Sequence, residues 1–444
     1  MRRLFGTDGI RGHADRPPFD DATLRRLGLA IAGIADNGKG ILIAEDTRES
    51  SPRIARAIAD GLNAGKKEVS SAGVFPTPAL SFILNRSNAY AMGVMISASH
   101  NLYQDNGIKV LSGGGMKIAD EVEAGIEAEF EKISGVEIPE NPNMFASSNV
   151  GDRYLENVYS IFSPRIRKRL GNAVIDCANG ATFRIAPELL GRFIEKIYVI
   201  NRNPDGKNIN LDCGSTHLEA LRDSVLQNGA DFGVAFDGDG DRALFIDHEG
   251  NTVDGDHILA FCAVEMKNNS ELSDAGVVST VMANFGLEEA LRKAGISFYR
   301  IESVGDRYVW QRMLESGSVL GGEQSGHIIF RNHSVTGDGI ITALKCMEIM
   351  SRTGRTLQSL ASIVKKYPQR LLNVRVERKP PIESMSLLQA ELAKVNSELA
   401  GRGRISIRYS GTENLLRIMI EGDDQPKIDT FADRLGRAAI EEIQ

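Results

Sequence analysis

Two places in this chain run from a short apolar stretch straight into a polar cluster, and they constrain the fold more than anything else in it. Ala91-Met92-Gly93-Val94-Met95-Ile96 breaks into Ser97-Ala98-Ser99-His100-Asn101, and Phe232-Gly233-Val234-Ala235-Phe236 breaks into Asp237-Gly238-Asp239-Gly240-Asp241-Arg242. Apolar runs of this length read as buried strands, and the polar clusters cannot continue inside a core. In open α/β sheets ligands bind outside the carboxyl ends of the strands. One break therefore delivers a serine hydroxyl to such an edge, and the other delivers three carboxylates. A hydroxyl able to carry a phosphoryl group and a carboxylate cage for a divalent cation belong together.

The texture around both breaks is repetitive. An amphipathic helix over 19–36, a strand over 40–44, a helix opened by Ser51 as N-cap with Pro52 at its first position, the strand before Ser99 and a charged helix over 119–133 make a first α/β round. The stretch 134–152, rich in Pro, Asn, Ser and Gly, marks a boundary. The pattern restarts with strands at 173–177, 197–200 and 232–236, and again from about Asp254 with strands at 276–280 and 297–301, followed by a turn at Gly305-Asp306-Arg307-Tyr308. From Gln369 it changes to strands at 371–376, 404–409 and 415–421 with helices at 383–399 and 426–443. The expected fold is three consecutive α/β domains with mixed, mostly parallel sheets, at 1–152, 153–253 and 254–368, and a C-terminal α+β domain with an antiparallel sheet at 369–444. At 444 residues the chain is too long for one core, which agrees with about three or four units.

Composition narrows the function by exclusion. A net charge of −7 and the lack of any long basic run argue against a nucleic-acid footprint. No stretch approaches the ~18 apolar residues of a membrane span, and the N-terminus carries no apolar leader, so a cytoplasmic protein is expected. Cys177, Cys213, Cys262 and Cys346 show no metal-binding spacing and read as reduced, buried thiols.

Asp237, Asp239 and Asp241 alternate with glycines that let the backbone turn tightly, and hard oxygen donors of this kind suit magnesium or calcium. An EF-hand would need Gly and Glu where Arg242 and His248 stand, and a haloacid-dehalogenase-type phosphatase would need Thr or Val at Asp241. The glycines before the strand at Gly40 resemble a P-loop but lack its Ser or Thr and lie on the wrong side of the strand. No Gly-x-Ser-x-Gly elbow supports Ser99 as a triad nucleophile, and His100, next in sequence, is expected to point elsewhere. Phosphoryl transfer beside a cation is the reading left, with turn hydrogen bonding by Ser99 as the bland alternative. Arg408-Tyr409-Ser410-Gly411-Thr412-Glu413-Asn414, with Arg417 behind it, offers guanidinium, hydroxyl and amide donors for a phosphate monoester, although Ser-Gly-Thr is also ordinary hairpin sequence. Gly322-Glu323-Gln324-Ser325-Gly326-His327 offers a carboxylate and a hydroxyl for sugar hydroxyls and an imidazole for proton movement.

Taken together, 7–12 (Thr-Asp-Gly-Ile-Arg-Gly), 97–101, 237–242, 322–327 and 408–413 resemble, in order and across nearly the whole chain, the motifs of the α-D-phosphohexomutase superfamily. Val304–Tyr308 and Gln324 resemble its phosphoglucosamine-specific branch more than its phosphomannomutases or phosphoglucomutases. The resemblance implies four domains around a central cleft, each giving one motif. It implies a phosphoserine at Ser99 whose phosphoryl oxygen binds one Mg2+ with Asp237, Asp239 and Asp241. Glu323 and Ser325 would read the sugar, while Arg408, Ser410, Gly411, Thr412 and Arg417 grip the non-reacting phosphate. Arg11, Lys109, Arg242 and His327 would surround the transferring group, with Lys109 or His327 moving the proton. The implied reaction interconverts glucosamine 6-phosphate and glucosamine 1-phosphate through glucosamine 1,6-bisphosphate, supplying amino-sugar and cell-wall precursors. The implied partners are a small sugar phosphate and a second copy in a homodimer, with no nucleic acid and no membrane. Leu102, Tyr409 and Asn414 stand where the family usually has proline, so looser loops are expected there. A mutase for another hexose phosphate, or a silent sugar-phosphate-binding protein regulated at Ser99, are the competing readings.

Overall fold

The computed structural model describes residues 4–6, 8–133, 135–140, 146, 147, 149–272, 274–410 and 414–443. Four sheets succeed one another along the chain. The first has six strands, in which the serine strand Tyr90–Ile96 is central, parallel to Gly40–Glu45 on one side and antiparallel to Asp105–Ser112 on the other. The second has five strands, with Phe232–Phe236 parallel to Leu170–Asp176 and antiparallel to Ala243–Asp247. The third, of four strands, is parallel except where Leu320–Gly322 meets Ile328–Phe330 across the hairpin that carries Glu323–Gly326. The last is a three-stranded antiparallel sheet, Gln369–Arg375, Leu415–Gly422 and Gly403–Tyr409, covered by the helices Ser386–Leu399 and Gln425–Ile443. The apolar runs read as strands do form strands because each is buried on both faces: the five residues from Phe232 to Phe236 are all buried.

The first three units share a core. One cluster of buried side chains runs from Leu42, Phe75 and Phe82 through Tyr154, Phe162 and Phe193 to Phe261, Phe330 and Leu360. Tyr154 is its hinge-pin, with Phe75 and Phe82 edge-on at 5.9 and 5.3 Å. A second cluster, including Ile31, Ile58, Val94 and Ile108, fills the other face of the first sheet. The fourth unit keeps a core of its own around Leu388, Leu416, Phe431 and Leu435. The four cysteines are free and buried, and among the described residues no helix is long and apolar enough to cross a membrane.

Two local expectations are corrected. The N-cap before Pro52 is Ser50, not Ser51, and it makes no side-chain capping bond; Ser51 is the first helical residue and donates instead to Asp46 Oδ1 at 2.8 Å. The segment after Gly305 is not an isolated turn but the start of the helix Asp306–Ser316, entered through Gly305 at φ 132°, a conformation side chains avoid.

Candidate active site

The strand Tyr90–Ile96 and the strand Phe232–Phe236 end side by side, so Ser99 and the aspartate loop meet. Ser99 Oγ donates to Asp237 Oδ2 at 2.7 Å, and both residues are buried. One carboxylate oxygen from each of Asp237, Asp239 and Asp241 lies within 4.8 Å of the others. Thr77 Oγ1 and Lys109 Nζ share Asp239 Oδ2 at 2.5 and 2.8 Å, while Asp239 Oδ1 and Asp241 Oδ1 are buried oxygens without a hydrogen-bond partner. Burial, and then the neighbouring Asp241 and Asp239, push the Asp237 carboxyl well above the usual range. Burial has the same tendency at Asp241, but Lys109 and His327 outweigh it and hold that group well below the range. Three buried carboxylates with free oxygens are a donor set for a hard divalent cation, and the fit is good.

Ser99 itself sits at φ 55°, a left-handed backbone that serine rarely adopts. What holds it there is Arg48, a fully buried side chain invisible to sequence reasoning. Its Nε donates to Asp46 Oδ2 at 2.8 Å; Nη2 donates to the carbonyls of Ser99 and Asn101 at 3.0 and 2.8 Å; Nη1 donates to those of Leu102 and, at 2.9 Å, Asp105. From the second unit, Asn210 Nδ2 donates to Ser99 O and Asn101 O, both at 2.9 Å. The loop is thus fixed at its carbonyls. At Leu102, where the resemblance implies proline, the carbonyl accepts from Arg48 Nη1. At Tyr409, another such position, the hydroxyl donates to Pro380 O at 2.7 Å.

A cleft of about 510 Å3 opens in front of the serine, lined by Arg11, Ser99, His100, Lys117, Asp241, Arg242, Asp306, Glu323 and His327 among others. Lys109 lies beneath it, buried, with Asp8 and Asp241 at 3.7 Å besides Asp239. Burial works against its charge, yet these three carboxylates, Asp239 first, hold the ammonium protonated well beyond the usual range. Glu323 is oriented by the Gly305 N–H at 3.0 Å, and Ser325 Oγ is a buried hydroxyl without a partner. Across the mouth, Lys117 pairs with Asp306 at 2.8 Å and with Asp8.

Two histidines border the serine and the aspartates. His100 does face the site: its Nδ1 stands 3.5 Å from Ser99 Oγ, against the expectation that it points away. Burial, with Arg242 and Arg11 close by, lowers it to about 4, so it is neutral at physiological pH. At His327 two tendencies conflict. Burial disfavours the imidazolium, but Asp241, Asp306 and Glu323 raise the group to about 9. The Gly337 N–H, however, donates to Nε2 at 3.0 Å, which requires a neutral ring with its proton on Nδ1, facing Asp241 at 3.5 Å. The hydrogen bond decides the state, since Asp241, which does most to retain the second proton, is a carboxylate that a cation would neutralise.

Among the described residues expected to grip a phosphate, Arg408, Ser410 and Arg417 do not line this cleft. Arg408, next to last in the strand Gly403–Tyr409, pairs in register with Arg417 on Leu415–Gly422 in the fourth sheet, and Ser410 follows the strand. Gly411 and Thr412 lie outside the described residues, as do Thr7 and Glu413.

Comparison with known proteins agrees with the architecture. Family models for phosphoglucomutase/phosphomannomutase match in order: alpha/beta/alpha domain I at residues 2–137, domain II at 152–250, domain III at 254–367 and the C-terminal domain at 371–438. A Burkholderia thailandensis phosphoglucomutase/phosphomannomutase family protein superposes with a TM-score of 0.80 over 99% of this chain and 97% of its own, at 21% identity. The architecture is that of the phosphohexomutases. At the sequence level the chain is 43% identical to the phosphoglucosamine mutase of Solibacter usitatus, over 97% of this chain and 96% of that one. It is 42% identical to that of Symbiobacterium thermophilum over the full length of both. The chain belongs to the phosphoglucomutase/phosphomannomutase family, and within it to the phosphoglucosamine mutases.

Proposed function

We propose that this chain interconverts glucosamine 6-phosphate and glucosamine 1-phosphate through a phosphorylated Ser99. The observation that carries the reading is the meeting of Ser99 Oγ with Asp237 at 2.7 Å inside a three-carboxylate cluster that has oxygens to spare. In the first transfer the P–Oγ bond of phospho-Ser99 breaks as a P–O bond forms to the sugar's 1-hydroxyl, whose proton leaves. The resulting 1,6-bisphosphate turns over, its 6-phosphoryl returns to Ser99 Oγ, and the 6-hydroxyl regains a proton as glucosamine 1-phosphate departs.

Each side chain has a task its surroundings support. Asp237, Asp239 and Asp241, with a phosphoryl oxygen on Ser99, would hold one Mg2+, which when bound neutralises charge on the transferring group. Arg11 and Arg242 line the cleft as cations for the phosphoryl oxygens. Lys109 and His327 are both engaged, the first by Asp239 and the second by Gly337, which favours charge-holding and positioning over proton shuttling. His100, neutral and beside Oγ, is the better-placed proton acceptor. Glu323 and Ser325 face the sugar, and Arg408, Ser410, Gly411, Thr412 and Arg417 hold the phosphate that is not reacting. A homodimer in the cytoplasm completes the reading, the assembly being checked by light scattering.

The test is intact mass and then assay. The purified protein carries an extra ~80 Da, one phosphoryl group, and turns over glucosamine 6-phosphate with magnesium in preference to glucose or mannose phosphates. Ser99→Ala loses both the mass and the activity. A Ser99→Ala variant with full activity refutes the mechanism.

A further inference from the structure

Between the sugar loop and the segment leading into the fourth sheet lies a run of buried and half-buried polar groups that the phosphoryl chemistry does not use. It begins at Gln324, inside the sugar loop, whose Nε2 donates to Asp254 Oδ2 at 3.3 Å, while the Gly255 N–H donates to Gln324 O at 3.0 Å. The loop rests hard on this helix start, since a Cβ on Gly255 would come within 2.0 Å of Glu323 O. Lys366 Nζ then bridges Asp254 Oδ2 at 2.6 Å and Asp256 Oδ2 at 2.5 Å. Asp256 Oδ2 also accepts from the Asn284 N–H at 3.1 Å, and the Asn284 side chain continues to Tyr367 O at 2.9 Å and Glu421 Oε1 at 3.1 Å. Glu421, wholly buried in the fourth sheet, accepts from Arg404 Nε at 2.6 Å, and Arg404 Nη2 reaches the carbonyls of Val281 and Ala283.

Lys366 and Tyr367 lie only two or three residues before the first strand of the fourth unit, Gln369–Arg375. The ammonium therefore ties the platform beneath the sugar loop to the stem on which the fourth unit is carried. We propose that Lys366 is a positioning residue: clamped by Asp254 and Asp256, it couples the sugar loop to the pose of the phosphate-binding unit. The inference rests on the mutase reading above. A bisphosphate that turns over between two half-reactions escapes whenever the fourth unit stands open, so the tie sets how often the intermediate is lost.

The experiment uses the full chain, with glucose 1,6-bisphosphate as activator and glucosamine 6-phosphate as substrate. Lys366→Met is expected to raise the activator concentration for half-maximal rate about tenfold, within the usual size of a coupling between sites. Ser99 phosphorylation, read by intact mass, and kcat at saturating activator stay near wild type, and Lys366→Arg restores the wild-type requirement. An unchanged requirement in Lys366→Met, or a fall in kcat at saturating activator without a change in requirement, overturns the proposal. Should Lys366→Met fail to fold, Asp254→Asn, which keeps the helix cap, is expected to raise the requirement by a smaller factor, and no change there overturns it equally. A wild-type protein without turnover on any hexose phosphate fails the mutase reading itself, and is distinguished from these outcomes by needing no variant.

Discussion

The first three units and the fourth are joined to each other by different kinds of contact. Units one to three share one apolar core, pinned by Tyr154 between Phe75 and Phe82 and continuous to Leu360. The fourth has a separate core and meets the third through Asn284, Glu421 and Arg404, just beyond the stem that Lys366 anchors. Apolar burial is non-directional and has to be given up as a whole, whereas a polar junction exchanges its hydrogen bonds for water at a small net cost each. The groups gathered around Ser99 thus sit on the side that cannot open cheaply, and the expected phosphate grip sits on the side that can.

The strongest way to break this contrast is Arg48→Ala. It removes the ion pair of the buried Asp46 carboxylate and one donor from each of four carbonyls, and is expected to cost about 3–5 kcal/mol in urea unfolding of the shared core. Arg48→Lys is expected to recover little of this, because one ammonium cannot replace a planar fork. Next is pH. Burial raises the Asp338 carboxyl, which caps the helix Gly339–Thr353 and accepts from Tyr154, to about 7. Its protonated form is the one the fold prefers, so its contribution is complete below about 4, the ordinary carboxyl value, and is lost as pH rises through 7, at about 1.4 kcal/mol per unit of displacement. Asp338→Asn retains the cap and removes that part of the pH dependence; an unchanged profile in thermal melts from pH 5 to 8 refutes it. Arg404→Met, leaving Glu421 buried and short of its ion pair, is expected to cost about 1–3 kcal/mol. Hydrogen exchange is expected to speed up in the fourth sheet alone, and equal acceleration in the first three sheets would erase the distinction. The smallest effect is expected at Lys132→Ala, which removes an exposed pair to Glu129 and shifts stability by no more than about 0.5 kcal/mol.

Much of this is legible in the sequence, and the misses have a common cause. The strand ends at Ile96 and Phe236 are set by local alternation of apolar and polar residues, so reading them needs only neighbours. Sheet order needs more, yet parallel α/β rounds leave few choices. Arg48 escapes because an arginine in a polar loop reads as solvent-facing, and what buries it are carbonyls from Ser99 to Asp105, about 50 residues onward. The junction to the fourth unit is less readable still, since Asn284 and Glu421 are 137 residues apart. The helix start at Asp306 reads as a turn because Gly305 signals a break without indicating which element lies beyond it. His100 escapes because adjacency in sequence argues against two side chains meeting, a rule that the left-handed backbone at Ser99 overturns.

That left-handed serine bears on the catalytic cycle as well. In the proposed cycle Ser99 gains and loses close to two negative charges with every turnover. A loop held by its side chains would have to re-form its contacts each time. Here the restraints from Arg48 and Asn210 all act on main-chain oxygens, none on the hydroxyl. These main-chain restraints are therefore independent of what the side chain carries, so only the contacts of Ser99 Oγ itself, to Asp237 and His100, have to be exchanged as the charge swings.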